Sequence, residues 1–235
     1  MSRIARIVIP GIPHHIVQRG NRRQTVFFCD EDRIYYLGLL KKAGDKAGLA
    51  FWAYCLMRNH LHLIGVPKTE NSLAVTMASA NWKYSLTINF REDWRGCLWQ
   101  GRFYSCPLDH PHLIASARYI ERNPVRAKIV ENPEDFPWSS ARAHIGGTVD
   151  ALIEASPLTE EIRDWRSFIN QEESEETIKG IRRNLVTGRP LGDEAFIERL
   201  EKMTGRVLKK QKTGPKRRRD NSEDAPQLEK SEFSD

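Results

Sequence analysis

The chain has 235 residues, 40% of them hydrophobic and 29% charged, which suits one sizeable domain with an appendage and excludes fibrous and low-complexity classes. No apolar run approaches the roughly 20 residues that a membrane helix needs and no signal-peptide apolar core opens the chain, so a cytoplasmic protein with no membrane association is expected. The net charge of +6 is unevenly spread: residues 1–144 hold 20 Lys and Arg against 12 Asp and Glu, 145–205 hold 8 against 13, 206–219 hold 8 basic residues and no acid, and 220–235 hold 1 against 6.

Positive charge concentrated in the first segment and in one short block near the end suits a polyanionic partner. The four cysteines, Cys29, Cys55, Cys97 and Cys106, show no C-x-x-C spacing, which argues against a zinc knuckle or a disulfide framework and leaves buried thiols as the expectation.

In chain order, His14 to Arg19 reads as a short strand closed by the turn-like Gly20-Asn21. A helix follows with Asp30 as N-cap and Ile34, Leu37 and Leu40 on its inner face. Ala50 to Met57 is a β-rich run, and Arg58-Asn59 can turn the chain back into a second apolar strand that carries His60 and His62. A helix from Asn71 or Ser72 to about Phe90 has Leu73, Met77, Ala80, Tyr84 and Ile88 as its inner stripe. Leu98 to Cys106, with Trp99, Phe103 and Tyr104, reads as the last strand. Asp109 caps one more helix, which ends or bends at Asn123 before Pro124.

The order strand, helix, strand, strand, helix, strand predicts an α+β fold, a ferredoxin-like split βαβ antiparallel sheet with helices on one face. A small helical C-terminal extension follows, with segments near Thr159–Asn170, Glu175–Arg183 and Asp193–Met203. The expected organisation is a catalytic domain over 1–147, a helical region over 148–205 and a basic then acidic tail over 206–235. From about Gln211 the tail is too polar to bury a core and is expected to be disordered.

Strand side chains alternate faces, so His60 and His62 point the same way with their bases roughly 7 Å apart. Two imidazoles on one face can share a metal ion, although the same spacing also suits a hydrogen-bonded or surface pair. Downstream, Tyr119 and Asn123 are four apart on one helix face, about 5–6 Å between bases. An asparagine carbonyl supplies a hard oxygen beside two imidazoles. A tyrosine phenol needs assistance to act as a nucleophile at neutral pH. Taken alone, Tyr119 is as well explained as a helix-face aromatic and Asn123 as a helix-ending cap.

The combination Asn59-His60-Leu61-His62 with Tyr119-Ile120-Glu121-Arg122-Asn123-Pro124-Val125-Arg126-Ala127 resembles the REP-associated tyrosine transposases, a branch of the single-tyrosine HUH nuclease and transposase superfamily. The resemblance extends to His15-Ile16-Val17-Gln18-Arg19-Gly20-Asn21, to Trp99-Gln100-Gly101-Arg102-Phe103-Tyr104-Ser105, and to Gly188-Arg189-Pro190-Leu191-Gly192 with the basic tail, covering most of residues 10–215. It implies a metal-dependent single-strand DNA endonuclease and strand transferase in which Tyr119 is the nucleophile, forming a 5′-phosphotyrosine, and His60, His62 and Asn123 bind Mg²⁺ or Mn²⁺. Imidazole ligands are softer than Mg²⁺ prefers, which places Mn²⁺ at least level with it. Related insertion-sequence transposases usually carry glutamine at the Asn123 position, so here the helix must come closer to the ion.

The implied partner is single-stranded or hairpin DNA from palindromic repeats, with a monomer slightly favoured over a dimer. Candidate DNA contacts are Arg19, Arg22, Arg23, Arg58, Arg102, Arg122 and Arg126, and in the tail Arg206, Lys209, Lys210, Lys216, Arg217 and Arg218. Trp99, Phe103 and Tyr104 are either core or stacking platforms. His15 is either a structural group or a general base. His110 and His112 sit at a helix start and need not converge on a metal. Two further readings stay open: a catalytically idle DNA-binding regulator of the same fold, and a metal-dependent hydrolase in which Tyr119 is dispensable.

Overall fold

The computed structural model describes residues 5–209. Four strands, β1 (His14–Arg19), β2 (Leu49–Met57), β3 (His60–Pro67) and β4 (Tyr104–Pro107), form one sheet in the order β2-β3-β1-β4, with every neighbouring pair antiparallel. This is the arrangement of a split βαβ sheet, as the element order requires. Helices α1 (Asp30–Ala47) and α2 (Ser72–Arg91) make the two crossovers. Both lie on the same face, where Tyr36, Leu40, Leu73, Met77, Ala80, Tyr84 and Ile88 meet Ile16, Leu56, Leu61 and Leu63 of the strands.

The other face is also covered. Helices α3 (His110–Glu121) and α4 (Asn123–Arg126) are followed by α5 (Ala141–Gly146), α6 (Pro157–Glu161), α7 (Trp165–Asn170), α8 (Glu175–Thr187) and α9 (Glu194–Thr204). Leu113, Ala117, Ile120, Leu158, Trp165, Ile169, Ile181 and Leu185 share one apolar cluster with Val17, Cys55, Ile64 and Cys106. Helices α6, α7 and α8 therefore complete the second core, while Phe196 and Leu200 of α9 pack in a separate cluster with Ile7, Ile9 and Leu208. No helix among the described residues is long and apolar enough to cross a membrane.

Three expectations need correction. The N-cap of α1 is Cys29 and Asp30 is the first helical residue; Ile34 is 61% exposed while Tyr36, Leu37 and Leu40 are buried, because at 3.6 residues per turn Ile34 falls about 120° from Leu40. The last strand is shorter than Leu98–Cys106. Gly101 adopts φ +62, a left-handed turn that breaks the extended run, so only Tyr104–Pro107 pairs as a strand and Trp99 makes an isolated bridge to Gly20. Trp99 and Phe103 are core residues, not stacking platforms. The tail beyond Lys209, with Lys210, Lys216, Arg217 and Arg218, lies outside the described residues.

Candidate active site

The pairing register assembles the site. Val17 faces His62, and Arg19 faces His60 across the β1–β3 pair, so His15, Val17, Arg19, His60 and His62 project from one face of the two central strands. The neighbouring ring pairs lie close: His60 and His62 have centroids 5.2 Å apart, and His15 and His62 5.1 Å. Helix α3 crosses this face and sets Tyr119 against the imidazoles, its ring centroid 5.7 Å from His62 and 6.0 Å from His15. Tyr119, Asn123, His60, His62, Arg19, Arg23, Gln100 and Tyr104 line a common cleft of about 510 Å³, which Arg182, Leu185 and Val186 of α8 close from the side.

Each imidazole of the pair has its Nδ1 occupied. His62 Nδ1 lies 2.8 Å from His15 Nε2, and His60 Nδ1 lies 2.7 Å from the Asn59 carboxamide oxygen. This leaves Nε2 as the uncommitted ring nitrogen in both, with orientation fixed from behind in the manner metal-ligating histidines require. Burial, reinforced by Arg19, pulls His60 down to about 4. Burial also holds His62 well below the ordinary histidine range, with His15, His60, Arg126 and Arg19 adding to the effect. Burial lowers His15 to about 3. All three are neutral near pH 7, the state in which an imidazole can ligate a cation.

Asn123 opens α4 after a break at Arg122, whose φ −81 and ψ 0 end α3. Pro124 has no N–H with which to continue the α3 ladder. The Asn123 amide nitrogen is buried without a hydrogen-bond partner, and since the two ends of a carboxamide exchange by rotation, its oxygen can be turned toward the cleft. Among the described residues no three His, Cys, Asp or Glu side chains form a metal cage; the donor set that fits a divalent cation is two imidazoles and one amide. Tyr119 is 5% exposed, and Arg182 Nε donates to its phenolic oxygen at 3.4 Å.

The candidate DNA contacts divide. Arg19 and Arg23 line the cleft, while Arg22, Arg58 and Arg102 are exposed, with Arg58 Nε donating to Thr25 Oγ1. Arg122 and Arg126 turn inward. Arg122 donates to the Ile169 carbonyl at 2.9 Å; Arg126 donates to the Tyr119 carbonyl, lies 4.1 Å from the Tyr119 ring centroid and pairs with Glu173 at 3.4 Å. Both guanidiniums hold the α3–α4 corner, with Arg126 pulled down from its ordinary range by burial and held up by Tyr119 and Glu173. Arg206 donates to the Ala5 and Arg6 carbonyls, and Lys209 pairs with Glu194 and Glu198, so these two serve the fold of the C-terminal region. His112 bonds its capping Asp109 and His110 pairs with Glu161, away from the cleft.

Two features escape sequence reasoning. Arg182 sits in a net acidic segment, and only the packing of α8 brings it to Tyr119. Glu121, wholly buried, accepts from Ser140 Oγ at 2.5 Å, His144 Nδ1 at 2.6 Å and Trp165 Nε1 at 2.8 Å, tying the helix of Tyr119 to α5 and α7. Its place two residues after Tyr119 is the one available signal, since a carboxylate on the inner side of a helix must find donors.

Residues 9–123 match the model of the IS200-like transposase family. The chain's fold is that of a REP-associated tyrosine transposase solved bound to a REP hairpin, at 18% identity and a TM-score of 0.54, over 67% of this chain and 93% of that one. A putative transposase from Deinococcus radiodurans R1 aligns at 17% identity over 51% of this chain and 96% of its own, with a TM-score of 0.37, too distant a likeness to bear on function. No curated protein matches the chain significantly.

Proposed function

We propose that the chain is a single-strand DNA endonuclease and strand transferase that acts on hairpin-forming repeats through a 5′-phosphotyrosine at Tyr119. The observation that carries this reading is the convergence of Tyr119, His60, His62 and Asn123 on one cleft. The fold it shares with a transposase solved on a REP hairpin supports the substrate class. The REP-associated branch is the one we assign, because the quoted motifs run through the chain beyond residue 123. The proposed division keeps 1–147 as catalytic domain, 148–205 as helical region and 206–235 as tail.

In this mechanism Arg19 and Arg23 attract the DNA backbone into the cleft. A divalent cation, Mg²⁺ or Mn²⁺, held by His60, His62 and Asn123 would supply Lewis acidity at the scissile phosphate. His15 and Asn59 fix the two imidazoles so that their Nε2 atoms face the cleft. With its Nε2 spent on His62, His15 serves as an orienting group and not as the base. The Tyr119 oxygen bonds to phosphorus as the bond from phosphorus to the 3′-oxygen breaks, and the phenolic proton ends, by way of solvent, on the released 3′-oxygen. One phosphodiester replaces another, so a second 3′-hydroxyl can reverse the step and rejoin DNA without an external energy source.

The test is incubation of the full chain with a panel of hairpin oligonucleotides in Mn²⁺ or Mg²⁺. Cleavage with a denaturation-resistant protein–DNA adduct, both lost in EDTA and in Tyr119→Phe, is expected. Binding without cleavage would establish the idle regulator instead, and cleavage that survives Tyr119→Phe would establish the hydrolase.

A further inference from the structure

We propose that Arg182, delivered by α8 from outside the matched transposase domain, is a catalytic residue that contacts the attacking oxygen of Tyr119 and then the phosphate it acquires. The proposal rests on the reading of Tyr119 as nucleophile. Arg182 Nε is the donor to the phenolic oxygen, and Arg182 lines the same cleft as the histidine pair. Its charge is uncommitted. Whereas Arg126 is spent on Glu173 and on the Tyr119 carbonyl and Arg122 on the Ile169 carbonyl, Arg182 has no carboxylate partner among the described residues.

The placement of α8 is fixed at both ends. At its start Glu173, 3% exposed, lies 3.4 Å from Arg126 and 3.8 Å from Arg118. At its end Gly188 takes the left-handed cap at φ +73, Asn184 Nδ2 donates to the Pro190 carbonyl at 2.7 Å, and Leu191 returns to β4 through Pro107 and Asp109. Between these ends Ile181 and Leu185 enter the core. The Gly188–Gly192 turn thus has a mechanical role: it clamps α8 across the nucleophile's helix and holds Arg182 over Tyr119.

The chemistry calls for such a group. A cation held by two imidazoles and an amide would act at the scissile phosphate, but the attacking phenolic oxygen must also lose its proton, and an in-line displacement at a phosphodiester spreads negative charge over the equatorial oxygens. A guanidinium stays protonated throughout and offers paired donors that match two phosphate oxygens. Beside the phenolic oxygen, it stabilises charge as the proton leaves and then meets the phosphate in the phosphotyrosyl linkage.

The experiment compares Arg182→Gln, Arg182→Ala, Arg182→Lys and Arg183→Gln in the full chain, using the hairpin oligonucleotide cleaved best in the panel at saturating concentration. Arg183 is the control, an exposed neighbour of equal charge bonded to Asn184. Arg182→Gln is expected to slow adduct formation about 100-fold, the scale of removing one transition-state donor, with hairpin Kd within a few-fold of wild type. Arg182→Lys should retain part of the rate, Arg183→Gln nearly all of it, and added guanidinium should restore activity to Arg182→Ala. An Arg182→Gln rate no lower than that of Arg183→Gln, or a defect in Kd alone, overturns the proposal while a dead Tyr119→Phe leaves the nucleophile reading standing. A fully active Tyr119→Phe overturns both.

Discussion

His60 and His62 spend Nδ1 on Asn59 and His15, so each presents its remaining nitrogen to the cleft. His60→Ala or His62→Ala should therefore remove cleavage that Mn²⁺ restores only to the wild type, with hairpin binding largely kept; undiminished cleavage would end the metal role. Glu121 is a structural counterpart, and Glu121→Ala strips the shared acceptor from Ser140, His144 and Trp165. Breaking such a buried charged network costs about 3–5 kcal/mol, readable as a fall in denaturation midpoint. Burial lowers His14 from 6.5 to about 4, against backbone bonds to Ile12 and Ile7 that raise it. Between those values the unfolded chain binds a proton that the folded one refuses. Stability should be flat above pH 6.5 and fall by about 3 kcal/mol toward pH 4 from this residue, with His15 acting in the same direction; urea titrations across that range check it. The histidine pair was legible because strand periodicity alone puts both rings on one face. The role of His15 was not, because its bond to His62 depends on register between strands 47 residues apart.

At the scale of elements, α2 follows its apolar stripe closely: Leu73, Met77, Tyr84 and Ile88 are each 0% exposed. Helix α1 is less direct, since its inner face includes Tyr36 and Gly44, residues that carry no strong apolar signal. Gly44 is needed there, as an added Cβ would lie 2.8 Å from the Leu49 carbonyl. Gly38 is free, with nothing within 4 Å of its added Cβ, so Gly38→Ala should stabilise the protein by about 1 kcal/mol through helix propensity. By contrast Gly20→Ala would set Cβ 2.4 Å from the Gln24 carbonyl and 2.7 Å from Val26, and overpacking against backbone should cost about 1–3 kcal/mol. Thermal melts of the two variants should shift in opposite directions. The break between α3 and α4 was marked by Pro124; the inward turn of Arg122 and Arg126 was not, because an arginine's partner is chosen by tertiary packing.

For the whole molecule, the second core joins strands to C-terminal helices, since Trp165, Ile169 and Leu185 share a cluster with Val17 and Cys55. Local periodicity showed those helices but not where they dock. Charge distribution was legible at once, and it motivates a test of the tail that spares the fold contacts of Arg206 and Lys209. Removing residues 211–235 should weaken hairpin binding and flatten its salt dependence, because each lost phosphate contact releases fewer counterions. An unchanged slope would make the tail a solvated appendage.

The central claim, a transferase that stores the cleaved strand on Tyr119, is tested most directly by peptide mapping of the adduct formed with a hairpin oligonucleotide in Mn²⁺. The expected result is nucleotide mass on Tyr119 through a 5′-phosphate, with a free 3′-hydroxyl on the released strand. A modified residue other than Tyr119, or complete cleavage with no adduct, would contradict it.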